Sequence, residues 1–253
     1  MEIVKINNLD HFVDKSKKVY PLGRKALDQE TIAKRSKKKK FAAMFPIIPE
    51  SNWVDINRDA IFGATYCLNQ QSHGSCVGFS AAMSEMKSRT IRGQEFERLS
   101  GAYIYSWING GVDGGAQITD ALSELQNHGT CLESTVGWNS IYRWEIPSSA
   151  DTEAQRFRIS DGIIISTYEE MASAIQLGFI PQFAIEVGGN FENYDSEVVL
   201  GNFTDSRTVP SIDIIIRAGT PPAFVTYFEN CPAAGLVISI DAHLFPFAVW
   251  LFQ

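Results

Sequence analysis

The sequence predicts an α+β protein with two lobes, a helical one followed by a strand-rich one. Three observations carry this. Apolar residues recur at helical spacing between Ser75 and Asn127, short β-rich runs dominate after about residue 160, and the composition is that of a folded chain. Of 253 residues, 45% are hydrophobic and 20% charged, which excludes general disorder. Gly and Pro are scattered rather than periodic, which excludes collagen-like and solenoid classes. A chain of this length buries a real core.

Residues 1–45 read as a polar, basic extension. Its first forty residues carry twelve Lys and Arg against five acids, a charge of +7, while the rest of the chain carries −14. The run Lys37-Lys38-Lys39-Lys40 has no interleaved aromatics and no nucleic-acid module beside it. It therefore reads as a solvated or self-docking arm on an acidic body, and no nucleic-acid partner is expected. One short helix is expected from Leu27 to Arg35. The following segment, FPIIPESNWVDI, is expected to be extended, because Pro46 and Pro49 restrict their predecessors.

The helical lobe, residues 46–160, begins with a helix from Ser75 to about Arg89. Ser75 can cap it, and Phe79, Ala82, Met83 and Met86 fall on one face. A second helix is expected from Ser100 to Trp107, and a third from Ile118 to Asn127, closed by Gly129. The β-rich lobe, 161–253, opens with a strand at Gly162–Ile165 and a short helix at Tyr168–Leu177. Strands are then expected at Phe183–Val187, Ile212–Ile216, Phe224–Phe228 and Leu236–Ile240, and the tail Phe247–Phe252 is strand-like.

The N-terminus lacks the apolar stretch of a secretory signal, and no run of 18 apolar residues occurs, so no membrane partner is expected. The four cysteines, Cys67, Cys76, Cys131 and Cys231, have no CxxC spacing, so a zinc ribbon is not indicated and thiols are expected rather than a disulfide framework. The setting expected is cytoplasmic or host-intracellular.

Chemistry concentrates in Asn69-Gln70-Gln71-Ser72-His73-Gly74-Ser75-Cys76-Val77-Gly78-Phe79-Ser80. A cysteine at the first turn of a helix meets unpaired amides and the positive end of the helix dipole, which favour the nucleophilic thiolate. Gln70 can bring a side-chain amide to the same centre. With the backbone N–H of Cys76 it makes a two-donor oxyanion hole.

These residues resemble the papain-like cysteine peptidases, whose hallmark is Asn-Gln, a short turn, Gly-Ser-Cys, then a small residue and Phe-Ser. The resemblance implies Cys76 as nucleophile and Gln70 as oxyanion-hole side chain. A second block, Leu99-Ser100 with Tyr103 and Tyr105, then Gly111-Val112-Asp113-Gly114-Gly115, resembles the helix and glycine-rich segment of that family. There the paired glycines, here Gly114 and Gly115, let an extended substrate backbone approach the cleft wall. Gly129-Thr130-Cys131-Leu132-Glu133 to Trp138, and Pro181 to Tyr194, match further blocks in order, so the resemblance spans about residues 45–197. Val77 stands where the family usually has Trp. His73 and Val112 stand where the halves of one family disulfide are expected, a paired loss that suits a reducing compartment.

Papain-like catalysis also needs a histidine base and an asparagine that orients it. No histidine occurs between Tyr194 and Asp241, and the Asn-Ser-Trp-Gly block is absent. Three readings stand. His243 is the base, oriented by Asp241 or a backbone carbonyl; or the chain keeps the cleft only for binding; or the segment after about Val198 is out of register with its ancestral frame. His73 reads as filling the space of the absent disulfide, and residues 1–45 as an extension rather than an inhibitory prosegment. The resemblance thus implies a papain-like two-lobed α+β fold, with an incomplete or divergent β lobe. It implies peptide-bond hydrolysis through a Cys76 thioester, with a peptide or protein substrate and neither metal nor organic cofactor. The alternative is a catalytically inactive module that binds peptide or protein. A phage-encoded origin fits either.

Overall fold

One helix, with small residues on two of its sides, sets the architecture. The computed structural model describes residues 39–54 and 68–182, together with strand segments at 2–6, 9–13, 19–21, 184–187, 205–208, 213–217, 223–230, 234–240 and 249–252. Helix α1, Cys76–Ile91, begins one residue after the expected Ser75 and is buried from Cys76 through Ser88. The one-face apolar pattern belongs to an amphipathic helix, yet Ser80, Ser84, Glu85 and Lys87 are buried as well. Small residues make this possible. A Cβ at Gly78 would stand 2.4 Å from the Gly101 carbonyl oxygen, and one at Gly101 would stand 2.5 Å from the Phe79 Cα. Glycine at both positions lets α1 and the next helix, α2 (Gly101–Ile108), meet backbone to backbone.

The caps of α2 and α3 follow the sequence. Ser100 Oγ accepts the Tyr103 N–H at 3.0 Å and starts α2. Helix α3 spans Ile118–Asn127, and Gly129 closes it at φ +84, its N–H donating to the Glu124 carbonyl at 3.1 Å. A short helix, α4 (Ser148–Ala154), was not expected; seven polar and small residues after Pro147 show no apolar periodicity. The capping expected of Ser75 also differs, since its side chain makes no cap bond and its hydroxyl is buried.

Among the described residues the entry segment is extended at 46–49, between short 3-10 turns at Phe41–Ala43 and Glu50–Asn52, and again at Trp53. Phe41 is fully buried, stacks on Phe45 at 5.3 Å, and Phe45 meets Phe179 edge-on at 5.0 Å. The end of the basic extension therefore packs on the body. Its Lys39–Lys40 pair forms strand β4, which runs parallel to β5, Gly162–Ile165, and Lys39 ion-pairs with Asp161. Strand β11, Val249–Phe252, flanks β5 on the other edge in antiparallel register, with Val249 opposite Ile165. All four residues of β5 are buried, which explains the uninterrupted Gly-Ile-Ile-Ile run.

Helix α5, Tyr168–Gln176, follows with Thr167 Oγ1 accepting the Glu170 N–H. The later strands are β6 (Ala184–Val187) paired with β7 (Asp205–Thr208), and an antiparallel meander of β8 (Asp213–Arg217), β9 (Ala223–Asn230) and β10 (Ala234–Ile240). In the N-terminal extension, β1 (Glu2–Ile6), β2 (Leu9–Val13) and β3 (Val19–Pro21) form an antiparallel meander. The helix expected at Leu27–Arg35 lies outside the described residues. Among the described residues no helix is long and apolar enough to cross a membrane.

Candidate active site

The turn before α1 is built by its own side chains. Asn69 Oδ1 accepts the Gln71 N–H at 2.8 Å, and Gln71 takes a left-handed φ of 55°. The His73 N–H donates to the Gln70 carbonyl at 3.3 Å and closes the turn. Cys76 follows as the first residue of α1, 6% exposed, in the core cluster with Phe79 and Tyr105. Its position at a helix start is the one in which backbone amides and the helix dipole favour a thiolate. Gln70, half-buried, turns its side-chain Nε2 to the His73 carbonyl at 2.8 Å. That bond uses one of two amide hydrogens, so one donor remains on the same nitrogen.

The glycine-rich segment lies across from this turn. Asp113 Oδ1 accepts the Gly74 N–H at 2.9 Å and the Tyr105 hydroxyl at 2.9 Å, and Asp113 Oδ2 stands 3.2 Å from His73 Nδ1. The Gly115 N–H donates to the Tyr105 hydroxyl oxygen at 3.0 Å, with Gly115 at φ +79. The Gly114 N–H donates to the Val112 carbonyl at 2.9 Å. Both glycine amides therefore serve the protein's own fold. Burial, then the Asp113 charge, pushes the Tyr105 hydroxyl well above its ordinary range, so Tyr105 remains a neutral donor.

His73 is thus engaged by Asp113, the residue next to Val112. Val112 itself is exposed, and Trp138, also exposed, lies 5.9 Å from the His73 ring. Gln182 enters from the far end of the described body, wholly buried, and donates to the Val77 carbonyl at 3.0 Å. Cys76 and Cys131 are both thiols. His243 and Asp241, and the cysteines Cys67 and Cys231, lie outside the described residues. Among the described residues no group of three His, Cys, Asp or Glu side chains is placed to hold a metal ion.

Solved structures share this arrangement of elements. Xylellain, a cysteine protease from Xylella fastidiosa, superposes with a TM-score of 0.65 at 15% identity, over 92% of this chain and 95% of its own. Procathepsin B S9 from Trypanosoma congolense gives 0.58 at 12% identity, over 92% of this chain and 83% of its own. Bromelain protease from Ananas comosus gives 0.56 at 14% identity, over 81% of this chain and 99% of its own. The fold is papain-like α+β. No protein-family model matches the sequence, and no curated protein matches it.

Sequence reasoning brought Gln70 and Cys76 onto one turn and Gly114 and Gly115 onto one loop. It did not find the side chains that join the two, Asp113 and Tyr105. The available signal was an acid inside a glycine-rich segment, Gly111-Val112-Asp113-Gly114-Gly115.

Proposed function

We propose that the chain is a cysteine peptidase of papain-like mechanism. The observation that carries this reading is Cys76 as the first residue of a buried helix, directly after the Gln70 turn, in a fold shared with cysteine proteases. The Cys76 thiolate attacks the scissile carbonyl carbon of a peptide. The remaining Gln70 N–H and the Cys76 backbone N–H hold the oxyanion. Collapse breaks the C–N bond, and the amine leaves with a proton from the base. Water then cleaves the thioester and restores the thiol. We assign the base to His243, with Asp241 or a backbone carbonyl orienting its ring; the substrate is a peptide or protein, with no nucleic acid or membrane involved.

Turnover of a fluorogenic peptide library tests this. Cys76→Ala should abolish turnover, and His243→Ala should lower it about as severely, because a nucleophile and its base act as a unit. A wild-type chain that binds peptides without cleaving them, with binding intact in both variants, overturns the peptidase reading in favour of a binding module.

A further inference from the structure

The Asp113 carboxylate is 20% exposed and faces three groups from two segments, while its backbone is met by a fourth group from a third. Gly74 and His73 come from the turn that carries Gln70 and leads into Cys76. Tyr105 comes from α2, and the Tyr142 hydroxyl meets the Asp113 backbone from the segment before α4. Through the Tyr105 hydroxyl the same carboxylate is joined to the Gly115 amide. The bond to Gly74 is made only two residues before Cys76, so it restricts the backbone whose next N–H groups open α1. A carboxylate that accepts several hydrogen bonds holds its donors more strongly than a neutral acceptor does. The turn's own bonds, Gln71 N–H to Asn69, Gln70 Nε2 to His73 and His73 N–H to Gln70, close it on itself, whereas those to Asp113 tie it to the facing segment.

We propose that Asp113 is a positioning residue, whose carboxylate fixes the turn carrying Gln70 and Cys76 against the Gly114–Gly115 wall. It touches no reacting atom in this role. It acts through Gly74 and His73 on one side and Tyr105 on the other, as a noncovalent tie between the two walls of the candidate site. The proposal rests on the peptidase reading only for its consequence in turnover; the tie itself concerns the Cys76 thiol.

The rate of Cys76 alkylation by iodoacetamide near pH 6, followed by peptide mass spectrometry, tests the tie without requiring turnover. Asp113→Ala should slow Cys76 labelling by about fivefold or more, because the helix-start amides no longer hold one geometry around the sulfur. Asp113→Asn keeps an acceptor for Gly74 and Tyr105 and should stay within about twofold of wild type. Tyr105→Phe, which cuts the link to Gly115, should slow labelling less than Asp113→Ala but in the same direction, and it stands in if the alanine variant does not fold. Wild type in urea at matched stability separates placement from general loosening, and should label at its ordinary rate. A rise in labelling in both Asp113 variants overturns the proposal, because removing a negative charge near the thiol favours the thiolate wherever the turn sits. So does a slowing that matched urea reproduces. If labelling follows the expected order while wild type cleaves no peptide, the tie stands and the peptidase reading fails. If wild type cleaves peptides and labelling ignores Asp113, the peptidase reading stands and the tie fails.

Discussion

Cys76 and Cys131 are both buried thiols, yet the segments around them are held in different ways. Cys131 sits in a backbone ladder: its carbonyl accepts the Ser100 N–H at 2.8 Å, Leu132 bridges Leu99, and the Glu133 N–H donates to the Arg98 carbonyl at 2.9 Å. Burial, then the Glu153 charge, pushes its thiol up to about 12. Cys76 opens a helix, and the turn before it is tied by side chains, Asn69, Gln70 and Asp113. The difference teaches where reactivity belongs. Backbone pairing and burial suit an inert thiol, and the proposed function puts the reactive one at the helix start after the side-chain-built turn.

The sharpest way to break this comparison is to delete each sulfur. Cys76→Ala should reduce peptide turnover by about a thousandfold or more, while Cys131→Ala should leave it within about twofold. Cys131→Ala should cost about 1 kcal/mol of stability from the small cavity it leaves, read by urea unfolding. Iodoacetamide near pH 6 should label Cys76 well before Cys131. Equal labelling of the two ends the distinction.

A wedge between α1 and α2 comes next. The Cβ of Gly78→Ala would fall 2.4 Å from the Gly101 carbonyl oxygen and 2.9 Å from both Tyr105 Cβ and Tyr105 N. Backbone atoms cannot give way as a side-chain end does. The expected cost is about 3 kcal/mol, measured by urea unfolding, with loss of Cys76 labelling selectivity as the helix start shifts. A variant as stable as wild type shows that the two helices are not in that close contact.

The elements that sequence made legible are those whose signals are local. Ser100 and Gly129 mark the ends of α2 and α3 by capping chemistry that needs only neighbouring residues. The Gln70–Cys76 turn was legible for the same reason. The Asp113 tie was not, because His73 and Asp113 are forty positions apart and nothing in periodicity brings them together. The burial of α1 on more than one face, from Cys76 through Ser88, was hidden too, since only its apolar residues signal a buried side while its serines are small enough to be covered as well. The pairing of Lys39–Lys40 with β5 escaped because a charge run signals solvent, whereas its backbone still has hydrogen bonds to make.

A smaller effect comes from the acid buried along α1. Burial raises the Glu85 carboxyl to about 7, against the pull of Arg92 and Arg89; Arg92 Nη2 donates to it at 3.3 Å. With its folded value above the ordinary carboxylate range, the native state binds more protons than the unfolded chain through the window up to about 7. Wild-type stability should therefore fall as pH rises through that window. Glu85→Gln removes the ionisation and should flatten this loss, gaining about 2 kcal/mol over wild type at pH 8 relative to pH 5. Chemical unfolding of both proteins at the two pH values reads it, and an identical pH dependence shows that the ionised carboxylate is compensated in place.

The smallest effect returns to the two thiol segments. Arg98 ion-pairs with Glu133 beside Cys131, both side chains partly exposed, so the pair is worth well under about 1 kcal/mol. Because that segment is already held by the Ser100–Cys131 and Arg98–Glu133 backbone bonds, Arg98→Ala should lower stability only slightly and leave Cys131 unlabelled. Asp113→Ala also removes one charged side chain, but from a loop whose ties to the facing turn run through that side chain. Measured together, the two variants weigh a charge that decorates a backbone ladder against one that replaces it. Labelling of Cys131 on loss of Arg98 would show that its segment, too, depends on its side chains.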